Sequence, residues 1–435
     1  MQPIIFHLDM NSYFASVEQQ DNPQWRGQPL GVCEHLGGII IAASREAKVW
    51  GIKTGTPVWE ARKLYPKIIL TPTRAERYRF YTRKFLKVVN DYTDKVEKYS
   101  IDECFFDATK QCNIRTSGER QAARGELATV DPWREAVSIA REIKSRFKKE
   151  VGDFLTCSIG IADNKLLAKV ASDMKKPDGL VVIVENQRSK IKTQNLGVFS
   201  FAKNELYHQL KLIDIPGIGK RQQYHLNELG IRTLADLRDY PKSHLVARFG
   251  PVMGHHLYNM GQLRGSWKER VLQDQNIKSM GHMYTLPQDY RRQEFFLPVL
   301  YKLCEMVGRR LRRKRLEGEI VHFFTHDKNW QGFGRSLKLG YFAQDGREIF
   351  LEVVRSFAGQ APPAGAKIIG VTVAGLRSYT KQLSLFGDVE RQRRVVAALD
   401  SINDRYGEFA IVRALQIPAG KVFRDSVGFG RVKEL

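Results

Sequence analysis

The chain has 435 residues, with 70 Lys plus Arg against 47 Asp plus Glu, a formal net charge of +23 and a pI near 9.8. Its 43% hydrophobic and 10% aromatic content argues against a disordered chain and leaves room for roughly two to four domains. The excess of cations points to a polyanionic partner, nucleic acid first, with a ribosomal or membrane surface as the alternatives.

Five scattered cysteines (Cys33, Cys104, Cys112, Cys157, Cys304) contain no C-x-x-C pair. That speaks against a disulfide framework or zinc site and for a reducing compartment. No apolar run approaches the ~20 residues that span a bilayer. "MQPIIFHLDMNSYF" lacks the basic head and long apolar segment of a signal peptide. The expected location is the cytoplasm, with no membrane partner.

In chain order, "PIIFHLDM" (3–10) predicts a strand ending in an acid, and "NSYFASVEQQ" (11–20) has helical spacing. "GGIIIAAS" (37–44) reads as a short buried strand, and "REAKVWGI" as a helical turn closed by Gly51. An amphipathic helix over 76–93 precedes "YSIDECFFD" (99–107), which alternates like a strand yet carries adjacent acids. Residues 108–134 read as a surface loop, 133–152 and 164–179 as helices, and 156–162 and 180–184 as strands. Beyond about 205 come short helices around "IPGIGKRQQYHLNELGI", then a polar linker. Strand-like "KSMGHMYTL", the basic helix "LPVLYKLCEMVGRRLRRKRL" (297–316) and two further strands follow. The tail holds "QLSLFGD" and a helix over 391–407.

Asp9, Asp102 and Glu103 stand at strand ends. A few acids plus substrate phosphates suffice for hard cations such as Mg²⁺, which prefer oxygen ligands. Neighbouring strand residues face opposite ways, so Asp102 and Glu103 share a site only if a bend or bulge turns one of them.

Four motifs occur in order: "HLDMNSYFASVE", "SREAKVWGIKTG", "YSIDECFFD" and "SIGIADNKLLAKVASDMKKPDG". The set closely resembles the Y-family translesion DNA polymerases, and the match continues through "IPGIGKRQQ" into the following domain. The resemblance implies an α+β multidomain, right-hand polymerase. The palm would be 1–19 and 80–184, the small fingers 20–79, and the helical thumb with a helix-hairpin-helix 185–262. A linker would cover 263–276, a little finger 277–377, and a tail 378–435. It implies that Asp9, Asp102, Glu103 and the Met10 carbonyl hold two Mg²⁺ ions. Phe14, by spacing alone a core residue on the apolar face of its helix, would be a steric gate against ribonucleotides, beside Tyr13. Lys176, otherwise a surface charge before a Pro-Asp-Gly turn, would contact the triphosphate. Arg45 and Lys48 stand where many relatives have tyrosine and arginine, which changes the donors offered to the nucleotide.

Gly217 and Gly219 of "PGIG", with Lys220, resemble a hairpin that points backbone N–H groups at phosphates. "RRLRRKR" (309–315), with Arg309, Arg310, Arg312 and Arg313, is a solvated helix face by default; in a little-finger-like domain it is expected along the duplex. Gln382, Leu383, Leu385 and Phe386 of "QLSLF" match a peptide that binds the bacterial β-type sliding clamp, with a buried tail strand as the alternative. About fifty residues follow that peptide, and "ALDSINDRYG" is similar to the tail of the SOS-mutagenesis (UmuC-like) branch. The expected activity is template-directed, error-prone translesion synthesis from dNTPs on primer-template DNA by a monomeric catalytic unit. The competing readings are a catalytically silent DNA- and clamp-binding scaffold and a helix-hairpin-helix repair enzyme.

Overall fold

The computed structural model describes residues 2–34, 38–114, 131–185, 197–265, 277–286, 293–357, 365–380, 389–407 and 409–419. These fall into two compact units that meet in sequence at 273/274. The first carries β1 (Ile5–Met10), β2 (Leu30–Cys33), β3 (Ile40–Ala43), β4 (Ile69–Pro72), β5 (Val96–Lys98), β6 (Glu103–Asp107), β7 (Cys157–Ala162), β8 (Leu180–Val184) and β9 (Phe199–Ala202). Six of them form one sheet in the order β5-β6-β1-β7-β8-β9, and β3-β2-β4 form a smaller one. β1 runs antiparallel to both β6 and β7, while β7, β8 and β9 are mutually parallel.

Strand alternation divides β1 between two cores. Phe6 and Leu8 pack with Tyr78 and Phe85 of the Ala75–Asn90 helix and Ile139 and Ile143 of the Pro132–Arg146 helix. Ile5 faces the other way with Phe105, joining Leu167 of the Lys165–Met174 helix and a helical region that supplies Leu206, Leu226 and Leu257. His7 and Asp9 share the face of Ile5. Gly160, the register partner of His7 on β7, lets that helix lie directly on the sheet. A Cβ there would sit 2.0 Å from the carbonyl oxygen of Ala168.

Several expectations need correction. The Ala75–Asn90 helix is continuous, so a palm beginning at 80 would cut through it. β9 lies in the stretch assigned to the thumb, yet it pairs with β8 and extends the main sheet. Within the supposed loop 108–134, residues 109–114 are helical. Pro132 opens a helix there, whose first turn Asp131 caps through the Trp133 N–H. Of "YSIDECFFD", only Glu103–Asp107 is strand.

In the second unit β10 (Ser279–Thr285), β11 (Leu316–His326), β12 (Gly332–Ala343) and β13 (Ile368–Ser378) make an antiparallel sheet ordered β10-β13-β11-β12. One face is covered by apolar residues of the Gln293–Arg313 and Gly346–Ser356 helices, such as Val299, Leu303, Ile349 and Val353, against Val321, Phe323, Val371 and Val373. β12 escapes sequence detection because most of its residues are exposed or half-exposed. The Val389–Tyr406 helix and a turn at Ala414–Ala419 also belong to this unit. Asp400 and Asp404 of that helix reach Arg312 and Arg309 at 2.6 Å each, and Ala419 is fully buried in the core.

Candidate active site

β5 turns into β6 through residues 99–102, and the N–H groups of Tyr99 and Ser100 both donate to the Glu103 carbonyl, at 3.0 and 3.1 Å. Glu103 is thus the first residue of the strand, while Asp102 lies in the turn before it. The alternation that would send adjacent acids to opposite faces therefore does not apply. Asp9 is the direct cross-strand partner of Glu103. The Met10 N–H donates to the Asp102 carbonyl at 2.9 Å, which stitches the turn to the end of β1. All three acids stand at one corner of the sheet.

Their side chains are each engaged. The Ser100 hydroxyl reaches Asp102 Oδ1 and, at 3.3 Å, Glu103 Oε1. His7 Nε2 lies 3.1 Å from Glu103 Oε2, the same oxygen that Lys169 Nζ contacts. Lys176 Nζ sits 2.9 Å from Asp9 Oδ2 and 2.6 Å from Asp173. Among the described residues no three acid, His or Cys side chains are gathered tightly enough to hold a metal ion. Like-charged carboxylates separate, and here the nearest ammonium groups contact Asp9 and Glu103.

The electrostatics nevertheless suit a cation. Burial pushes the Asp9 carboxyl up to about 6; Lys176 opposes this, and the charges of Asp102 and Glu103 add to it. Asp102 is also raised, by burial first and then by Glu103, with Ser100 opposing. Burial also works against ionised Glu103, but the hydrogen bond from His7 and the Lys169 charge outweigh it and hold the carboxyl at about 2. His7, wholly enclosed, is pushed down to about 4 and is neutral at ordinary pH. Hard oxygen donors that raise one another's pKa fit Mg²⁺, which would relieve the repulsion.

The nucleotide candidates divide. Arg45, Lys48 and Lys176 come near one another: burial together with the Lys176 and Arg45 charges pushes the Lys48 ammonium down. Lys48 Nζ donates to Ser12 Oγ at 2.8 Å, and the Arg45 guanidinium bonds Thr156 Oγ1, which also accepts from Asn11. Tyr13 is buried, its hydroxyl bonded to the Tyr78 carbonyl at 2.8 Å. Phe14 is 1% exposed and stacked on Tyr78 with ring centroids 4.2 Å apart. As placed, it packs as core.

At the hairpin, Gly217 has φ +103, a backbone conformation that favours glycine. Gly219 precedes the Lys220–Glu228 helix, and Lys220 is exposed. The basic helix departs from expectation. Arg309, 6% exposed, pairs with Asp404, and Arg312 is held by both Asp400 oxygens and the Gln344 carbonyl. Arg313 reaches Asp404 at 2.8 Å, and Arg310 donates to the Gly281 carbonyl at 2.9 Å. Arg309 and Arg312 are thus held within the domain, whereas Arg313 remains exposed. Gln382, Leu383, Leu385 and Phe386 lie outside the described residues.

Sequence reasoning missed His7, Ser100, Lys169 and Ser172. His7 was legible as the residue two before Asp9 on one strand face, and Lys169 and Ser172 as an i,i+3 pair on one helix.

The impB/mucB/samB family matches residues 8–173, its C-terminal domain residues 277–385, and the DNA polymerase-iota thumb domain residues 213–266. The chain is 33% identical to DNA polymerase IV of Pelotomaculum thermopropionicum over 98% of each protein. It is 34% identical to DNA polymerase IV of Moorella thermoacetica, covering 96% of this chain and 97% of the relative. A solved Y-family DNA polymerase chimera superimposes with a TM-score of 0.68 at 24% identity, over 86% of this chain and 99% of the chimera, and shows the same right-hand fold. The polymerase IV matches run through the tail that resembled the SOS-mutagenesis branch, and so favour the other branch. By its matched domains and full-length relatives, the chain belongs to the Y-family of DNA polymerases, in the DinB-like group of polymerase IV.

Proposed function

We propose that this polymerase extends a primer 3′-hydroxyl with dNTPs past template lesions, at low fidelity and without proofreading, using two Mg²⁺ ions held by Asp9, Asp102, Glu103 and the Met10 carbonyl. The observation that carries the reading is the corner where Asp9 faces Glu103 across β1 and β6, with Asp102 in the adjoining turn. When bound, the ions would activate the attacking hydroxyl and stabilise the leaving oxygens of an in-line displacement. Lys176, with Arg45 and Lys48 nearby, offers ammonium and guanidinium groups to the triphosphate. Lys48 supplies one point charge where a relative's arginine offers a planar fork, and Arg45 adds the second charge.

Phosphates of the duplex would be met by the Gly217–Lys220 hairpin in the first unit. In the second unit, the sheet face away from the helices carries the exposed His322, Ser336 and Lys338. Arg313, exposed on the basic helix, adds a further cation for the duplex. "QLSLF" at 382–386 would bind a β-type sliding clamp, placing a monomeric catalytic unit on cytoplasmic DNA.

Primer extension by purified wild type and Asp102→Ala tests the proposal. Extension by wild type and loss of about 10³-fold or more in the variant, with primer-template binding intact, is expected. Equal extension by both would remove Asp102 from the chemistry. No extension by either, with DNA still bound, would leave the silent-scaffold reading.

A further inference from the structure

Glu103 has two carboxylate oxygens in different surroundings. Oε2 is taken: His7 Nε2 is 3.1 Å away and Lys169 Nζ contacts the same atom. Among the described residues, Oε1 meets only the long 3.3 Å approach of the Ser100 hydroxyl. Behind the imidazole, His7 Nδ1 lies 2.7 Å from Ser172 Oγ, which in turn approaches the Lys169 carbonyl at 2.8 Å. The ring packs on Phe105, centroids 4.4 Å apart, and is fully buried. Lys169 stands over Tyr99 at 5.2 Å.

We propose that His7, oriented by Ser172, is a positioning residue for Glu103. With Lys169 it pins Oε2 and so fixes Oε1 as the oxygen offered to the catalytic cations. The arrangement has the form of a second layer of partners that orients a metal-holding group. It is built from distant parts of the chain, since His7 is on β1 and Ser172 on the Lys165–Met174 helix. Their meeting depends on Gly160, whose missing Cβ allows helix and sheet to touch beside His7. A buried imidazole must have both ring nitrogens hydrogen-bonded, as Glu103 and Ser172 do here, whereas a position that needed only to fill the core would be met by phenylalanine.

This rests on the reading of Glu103 as a holder of divalent cations, and the experiment separates the two. Mn²⁺ binding to the full-length protein without DNA is titrated by electron paramagnetic resonance in wild type, Glu103→Gln, His7→Phe, His7→Gln and Ser172→Ala. Single-turnover dNTP incorporation is measured in parallel. His7→Phe is expected to weaken Mn²⁺ about tenfold or more and to lower the incorporation rate without raising the dNTP concentration for half-saturation. His7→Gln, whose amide can donate where Nε2 does, should recover most of both. Ser172→Ala, which keeps the ring, should give a smaller loss in the same direction. Wild-type Mn²⁺ affinity in His7→Phe with Glu103→Gln impaired overturns the positioning role alone. Equal losses in His7→Phe and His7→Gln, matched to a fallen melting temperature, also overturn it. Unchanged affinity in Glu103→Gln overturns the reading of Glu103 itself.

Discussion

Phe14 carries two demands that sequence alone could not separate. On the apolar face of its helix it was legible as core, and by resemblance as a gate; the structure stacks it on Tyr78 at 1% exposure. Phe14→Val should therefore cost about 1–3 kcal/mol by opening a cavity, read as a lowered urea midpoint. If the gate also operates, ribonucleotide incorporation rises sharply while deoxynucleotide incorporation survives; unchanged sugar selectivity retires that role. Asp21 offers a pH test away from the acids of the active site. Burial raises its carboxyl, but hydrogen bonds from Arg77 and Tyr81 and the Arg77 and Arg74 charges outweigh this and set it below its ordinary value. A depressed folded pKa means the stabilisation is complete above the unfolded value, about 3.9. It is lost as pH falls through the folded one. Melting temperature should fall below about pH 4 in wild type, and Asp21→Asn should start lower and fall less steeply. Parallel curves would contradict the assignment.

At the scale of elements, β1 was legible because its apolar residues, broken only by His7, run up to an acid, and the Ala75–Asn90 helix because its period is strong. The hairpin tip was not. "YSIDECFFD" alternates over its first four residues, and only the paired N–H groups on the Glu103 carbonyl reveal that 99–102 is turn. The ion pairs of the arginine helix were hidden for a different reason. Its partners Asp400 and Asp404 lie about ninety residues away, a pairing no local pattern encodes. Asp400→Asn would leave the half-buried Arg312 with only Glu305, 4.0 Å away, as a charge partner among the described residues, at a cost of about 1–3 kcal/mol. Differential scanning calorimetry should show a lower transition; an unchanged thermogram would mean that the tail contact is energetically idle.

For the whole molecule, the net charge of +23 was read correctly as a sign of nucleic acid, but it could not say which cations face outward. The structure separates them: Lys220 is exposed at a hairpin, whereas Arg309 is enclosed. Neutralising Lys220 should reduce the slope of log affinity against log salt by about one. Neutralising Arg309 should lower stability and leave that slope alone; the reverse pattern would restore the arginine helix as the DNA face. The corner of acids at 9, 102 and 103 was legible as a set of residues, and its geometry waited on the turn between β5 and β6. The most direct test is anomalous diffraction from crystals holding primer-template, a non-hydrolysable dNTP and Mn²⁺. The account predicts two Mn²⁺ peaks about 3.5–4 Å apart, touching Asp9, Asp102 and Glu103, with Lys176 moved off Asp9 to the triphosphate. A bound nucleotide with no metal density at these three residues would contradict it.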